Sequence, residues 1–291
     1  MSIFQSAALL LVAAQGPAPT QETVADAAPI GRPDGYSLVW SDEFDRGDMP
    51  SRSRWAYDTQ FNARGWHNNE KQYYSDARRE NSRVENGNLV IEARAERLSP
   101  RRFPDWGGQD YTSARLVTRG QASWTYGYFE IRAKLPCGRG IWPAIWTLAD
   151  RPNMQWPADG EIDIMEHVGH DEGVIHQTIH TGAYNHVLRT HRAGQIRLSD
   201  VCTAFHTYQL DWTRERLRMG VDGRTVFTFN RSENPQEWPF DGPQYLILNV
   251  AVGGDWGGAQ GIDSAAFPAR MEVDYVRVYQ AAPPRNAGER G

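Results

Sequence analysis

The sequence predicts an all-β domain of two antiparallel sheets packed face to face, and three observations lead there. The 291 residues hold 11 Trp, 12 Tyr and 10 Phe beside 27 Gly and 17 Pro, a mixture suited to short strands and many turns. Apolar residues recur with period two in short runs bounded by Gly, Asn, Asp and Pro, and sustained helical periodicity is missing. Asp222-Gly223, between two such runs, is a hairpin turn in which both central residues tolerate positive φ. With 40% apolar and 23% charged residues the chain is long enough for a large single core, which excludes disordered and collagen-like classes. Thirty-one Lys and Arg against 36 Asp and Glu leave a formal charge of −5, so nothing favours a polyanionic partner, and nucleic acid is not expected.

Strands are expected over 37–44, 88–96, 113–119, 125–136, 142–149, 161–168, 174–182, 206–213, 215–221, 224–230, 244–253 and 270–280. The clearest covers Tyr126 to Lys134. There Phe129, Ile131, Ala133 and Leu135 share one parity while Tyr128, Glu130, Arg132 and Lys134 share the other, as a half-buried antiparallel strand requires. About a dozen strands without intervening helices, repeats or an interior linker make one domain, 37–281.

At the N-terminus, Ser6-Ala7-Ala8-Leu9-Leu10-Leu11-Val12-Ala13-Ala14 is too short to span a bilayer but suits a signal-peptide core. Residues 1–20 are therefore expected to be a signal peptide, despite a first segment without Lys or Arg. A secreted or periplasmic location follows, with 21–36 as a flexible leader and 282–291 as a disordered tail. Cys137 and Cys202, the only cysteines, lie in turn-like sequence, and an exported chain allows them one disulfide.

Residues 160–169 carry the chemistry: Gly-Glu-Ile-Asp-Ile-Met-Glu-His-Val-Gly places Glu161, Asp163 and Glu166 on an otherwise apolar strand. Glu161 and Asp163 share a face in a regular strand, but Glu166, five residues from Glu161, points the other way. A β-bulge at Ile164-Met165 returns it, and bulges recur beside active sites because they re-aim a side chain. Two carboxylates brought to about 5–5.5 Å suit retaining glycoside hydrolysis, one attacking the anomeric carbon and the other protonating the leaving oxygen. Three crowded acids cannot all ionise cheaply, so one keeps its proton; the spacing alone does not order the roles of the two glutamates.

The same spacing also fits a solvated strand face or a hard-cation site. Upstream, however, Trp142-Pro143-Ala144-Ile145-Trp146 and Gln155-Trp156-Pro157 place three indoles close by in sequence, and flat indole faces can stack on sugar rings.

These residues resemble glycoside hydrolase family 16, and within it the laminarinase-like endo-β-1,3-glucanases. The resemblance runs from about Leu38 to Gln280. Besides the acidic motif it rests on Trp66-His-Asn-Asn-Glu-Lys-Gln-Tyr-Tyr74, Tyr126-Gly-Tyr-Phe-Glu-Ile-Arg132, Gly140-Ile-Trp-Pro-Ala-Ile-Trp146 and Phe205-His-Thr-Tyr-Gln-Leu-Asp-Trp212. Leu246-Ile-Leu-Asn-Val-Ala-Val-Gly-Gly-Asp-Trp256 and Val273-Asp-Tyr-Val-Arg-Val-Tyr279 also fit. The resemblance implies a concanavalin A-like β-jelly-roll sandwich with an open concave cleft for a polysaccharide.

By the same resemblance, Glu161 matches the nucleophile, Glu166 the acid/base and Asp163 the carboxylate supporting the nucleophile. Trp156 matches the tryptophan under the sugar at the cleavage point, Trp142 and Trp146 other cleft aromatics, and His180 a histidine near the acid/base. Asn69, Glu70, Arg115 and Trp256 are further sugar-contact candidates. The resemblance implies no catalytic cofactor but a possible structural Ca²⁺ at Glu43, the Gly87 carbonyl and Asp274, joining the start and end of the domain.

The expected activity is thus retaining endo-hydrolysis of β-1,3-glucan by an exported monomer, without nucleic-acid or membrane partners. Mixed-linkage β-1,3/1,4-glucan, a galactan such as agarose, glycan transfer, or non-catalytic glucan binding on the same sandwich are the competing readings.

Overall fold

The computed structural model describes residues 28–282. The expected signal peptide, the first part of the leader and the tail from 283 onward lie outside them. The strands are β1 (Tyr36–Asp42), β2 (Ala56–Tyr57), β3 (Gln72–Tyr74), β4 (Ser82–Glu85), β5 (Asn88–Ala95) and β6 (Tyr111–Ser113). Then come β7 (Arg115–Val117), β8 (Gly127–Lys134), β9 (Ile141–Ala149), β10 (Glu161–His167), β11 (Val174–His180) and β12 (Arg192–Arg197). The last are β13 (His206–Trp212), β14 (Arg216–Val221), β15 (Arg224–Asn230), β16 (Gln244–Val252) and β17 (Ala269–Ala281).

They form two sheets. One has ten strands, ordered β15-β14-β13-β8-β17-β5-β6-β3, with β1 on β17 and β4 on β5. The other has seven, ordered β12-β11-β10-β9-β16-β7-β2. Alternation supplies the core between them. Leu89, Ile91, Phe129, Ile131, Leu210 and Trp212 of the larger sheet pack in one cluster with Ile145, Ile162, Ile175, Leu246, Leu248 and Val250 of the smaller. Each such side chain taken from water contributes about 1.5–3 kcal/mol.

The expected strand 113–119 is divided. β6 pairs with β5 in the large sheet while β7 pairs with β16 in the small one, so the chain changes sheet at buried Ala114. One continuous apolar run thus serves two sheets, which periodicity cannot show. β12 was absent from the expected strands because Arg-Ala-Gly-Gln-Ile-Arg is a polar edge strand. The pairing is antiparallel with one correction: β3 and β6 are parallel.

The leader also needs correcting at its C-terminal end. Ile30 is buried, its N–H bonds the Gly223 carbonyl at 3.0 Å, and Thr225 Oγ1 donates to the Ala28 carbonyl at 2.7 Å. Residues 28–30 therefore dock on the β14–β15 hairpin. Cys137 and Cys202 form a disulfide, Cα atoms 5.8 Å apart, joining segments 65 residues apart. No helix among the described residues is long and apolar enough to cross a membrane.

Candidate active site

The outer face of the seven-stranded sheet carries the acids. β10 and β11 pair with Glu161 opposite His180, Asp163 opposite Thr178 and Glu166 opposite His176, and the register shifts between Asp163 and Glu166. Against β9 the shift falls between Asp163 and Met165. The expected bulge is therefore present at Ile164-Met165. Both bulge side chains are fully buried in the core, which commits Glu166 to the face of the other two acids. Gly160, at φ +87°, turns the chain into β10, and a Cβ there would approach Phe240 to 2.8 Å.

Sequence reading missed Gln177. A bulge interrupts the ladder, and the Ile164 carbonyl is met from the neighbouring strand by Gln177 Nε2 at 2.8 Å, which also reaches the Gly220 carbonyl at 3.1 Å. Gln177 is fully buried. The available signal was its parity, a polar residue on the core-facing side of Val174–His180.

The two glutamates have matching supports. Trp156 Nε1 donates to Glu161 Oε2 at 2.9 Å, and Trp142 Nε1 donates to Glu166 Oε1 at 3.1 Å. Trp156 is partly exposed on a loop that is tied back by Arg151–Asp159 at 2.9 Å and by the Gln155 N–H to Asp159 at 2.6 Å. Trp142 packs edge-on against Trp256, ring centres 5.3 Å apart, and His176 meets Trp256 at 5.0 Å. Asn69 Nδ2 donates to Asp255 at 2.7 Å, holding the Trp256 loop to the 67–70 turn. A groove of about 840 Å³ runs over this face, lined by Trp142, Glu161, Glu166, His176, His180 and Trp256 among others.

Burial sets the electrostatics. It raises all three carboxyls above their usual range, Glu161 to about 7, Glu166 to about 8, and Asp163 well above its ordinary value. Repulsion from Glu161 adds to the shifts of both others, while the Trp156 and Trp142 donors act in the opposite direction on their glutamates. Asp163 is flanked by both glutamates, whose charges add to its rise, and its hydrogen bond with Glu161 favours ionised Glu161. Burial lowers the imidazoles, His180 to about 3 and His176 to about 4, so both are neutral near pH 7.

His180 corrects one expectation. It lies not beside Glu166 but across from Glu161, with Nε2 3.8 Å from Glu161 Oε1 and 3.4 Å from Asp163 Oδ2. The register makes His176 the neighbour of Glu166.

The remaining candidates divide. Trp146 lies beside Asp163 in the β9–β10 register, its N–H bonding Asn249 Oδ1 at 2.7 Å. Arg115 is buried, its guanidinium carbon 4.7 Å from the Trp146 ring centre and 5.1 Å from that of Trp66, and its Nε 3.1 Å from Asp58. It backs Trp146 and does not line the groove. Burial raises Glu70, which accepts from Gln72 Nε2 at 2.7 Å.

The acids expected at a cation site face arginines. Glu43 takes Arg277 Nη2 at 2.7 Å and Nε at 3.0 Å, which holds its carboxyl low, and Asp274 Oδ2 takes Arg132 at 2.5 Å. These pairs do not fit Ca²⁺ held by the two carboxylates.

Comparison with known proteins agrees with this geometry. The model of Glycosyl hydrolases family 16 matches residues 69–277. A β-glucanase of Rhodothermus marinus is 54% identical over 254 residues, which make up 84% of this chain and 85% of that protein. The crystal structure of SCLam, a non-specific endo-β-1,3(4)-glucanase, superposes with a TM-score of 0.84 at 56% identity, covering 87% of this chain and 94% of that one. A SCLam mutant presenting 1,3-β-D-cellobiosyl-glucose at its active site matches with a TM-score of 0.85 at 55% identity, over 91% and 100% of the two chains. With the family model spanning most of the folded part and a relative more than half identical along nearly its whole length, this chain belongs to glycosyl hydrolases family 16.

Proposed function

We propose that the protein is a retaining endo-β-glucanase acting on β-1,3-glucan. The observation that carries the reading is the bulge at Ile164-Met165, which sets Glu166 on the same face as Glu161 and Asp163, with an indole N–H on each glutamate. Glu161, hydrogen-bonded by Trp156 and Asp163, is the nucleophile; it attacks the anomeric carbon and forms the glycosyl-enzyme bond as the glycosidic C–O bond breaks. Glu166, kept protonated by burial, gives its proton to the departing oxygen. It then takes a proton from water, which attacks the same carbon and releases Glu161, so the configuration is retained. Trp156 and Trp142 hold the carboxylates and offer ring surface to sugar, and His180 faces Glu161 and Asp163 from the next strand. No step calls for a cofactor.

A second reading, cleavage of mixed β-1,3/1,4-glucan as well, is favoured by the similarity to a non-specific endo-β-1,3(4)-glucanase. Non-catalytic glucan binding leaves three costly buried acids without a use. We also hold the chain to be exported, on the apolar run Ala7–Ala14.

The test is release of reducing ends from linear β-1,3-glucan, mixed-linkage glucan and agarose by wild type and Glu161→Gln. Cleavage of the first that vanishes in the variant supports reaction, linkage and nucleophile together. Undiminished activity in Glu161→Gln overturns the assignment, and cleavage of agarose alone overturns the substrate.

A further inference from the structure

We propose that Glu161, Asp163 and His180 form an inhibitory site for a borderline divalent cation, with Zn²⁺ as the best fit, that competes with glucan for the nucleophile. The inference rests on the reading of Glu161 as that nucleophile.

Three donor atoms converge within 4.8 Å of one another: a Glu161 carboxylate oxygen, an Asp163 carboxylate oxygen and a His180 ring nitrogen. His180 Nε2 stands 3.4 Å from Asp163 Oδ2 and 3.8 Å from Glu161 Oε1. Asp163 Oδ2 meets no N–H or hydroxyl donor although the side chain is only 3% exposed, the partner of this carboxyl being Glu161. A buried carboxylate oxygen without a donor is costly once the carboxyl ionises, and a bound cation would offset that cost. Tetrahedral zinc, with bonds of about 2.0–2.2 Å to nitrogen and oxygen, spaces neighbouring ligand atoms about 3.4 Å apart. The His180–Asp163 separation matches that edge, and the His180–Glu161 separation of 3.8 Å is wider and closes as Glu161 Oε1 moves onto the ion.

The donors also select the ion. One imidazole with two carboxylates suits Zn²⁺ or Cu²⁺, whereas Mg²⁺ and Ca²⁺ prefer all-oxygen shells. The buried imidazole is neutral near pH 7 and has a lone pair to give. Trp156 occupies Glu161 Oε2, so Oε1 is the oxygen that faces His180. The groove side leaves a fourth position for water.

His180 Nδ1, in contrast, is buried without a partner. Resident metal sites hold their histidines by a hydrogen bond from the second ring nitrogen. Its lack here predicts a weakly held, exchangeable ion. Because a bound cation displaces protons from the acids, affinity rises with pH.

The experiment titrates Zn²⁺ into the metal-free full chain by calorimetry, with and without a β-1,3-gluco-oligosaccharide, and follows glucan hydrolysis in parallel. One Zn²⁺ per chain is expected, displaced by oligosaccharide, released by lowering the pH, and matched by loss of rate that Mg²⁺ does not cause. His180→Asn, folded by its melting curve, is expected to bind at least about tenfold more weakly, and His170→Asn, at a histidine outside the three-donor group, as wild type does. Zn²⁺ binding indifferent to oligosaccharide or to His180→Asn, or no binding at millimolar Zn²⁺, overturns the site. If the wild type cleaves no glucan yet shows the binding pattern, the glucanase reading fails and the metal site stands.

Discussion

Trp142 Nε1 donates to Glu166 Oε1 at 3.1 Å, and the ring that makes this bond also packs edge-on against Trp256. One residue therefore both shapes the groove and adjusts the acidity of the group assigned to proton transfer.

Trp142→Phe removes that donor. The N–H stabilises ionised Glu166, so its loss raises the carboxyl further and the acid keeps its proton to higher pH. The alkaline limb of the kcat/KM profile is expected to move upward. A limb that moves down, with the fold intact, refutes the bond's role.

Glu166→Gln separates stability from activity. The folded carboxyl titrates at about 8, against about 4.3 for the unfolded group, so between those values the native state holds the extra proton. Stability from this group is then lost as pH rises from about 4 to 8. The Tm of the variant relative to wild type is expected to climb over that window while hydrolysis falls by orders of magnitude. Parallel Tm curves contradict the raised carboxyl.

Gln177→Leu leaves the Ile164 carbonyl without its side-chain partner, a loss of about 1–3 kcal/mol in unfolding free energy, measured by denaturant titration. Because the bulge aims Glu166, kcat at temperatures well below the melt is expected to fall more than KM changes. Full kcat with the stability loss alone makes Gln177 purely structural.

Cys202→Ser opens a closure over 65 residues, for which the chain-entropy account gives a loss of about 4 kcal/mol as an upper bound. The groove lies on other strands, so the specific activity of the folded fraction is expected to persist. Activity lost in step with the bond, below the melt, contradicts this.

The antiparallel sandwich, the position of the bulge and the acid trio were all legible in the sequence. Period-two alternation and the Glu-x-Asp-x-x-Glu spacing are local, and a strand carries them whatever its neighbours. Tertiary structure decided what depends on partners. It placed His180 against Glu161 and Asp163, because register across β10 and β11 fixes that pairing. It divided Tyr111–Val117 between two sheets, and it backed Trp146 with Arg115 through contacts that no spacing encodes. It matched Glu43 and Asp274 to arginines far away in sequence. Above all it set the acidity of the trio, since burial and mutual repulsion exist only once the strand is packed.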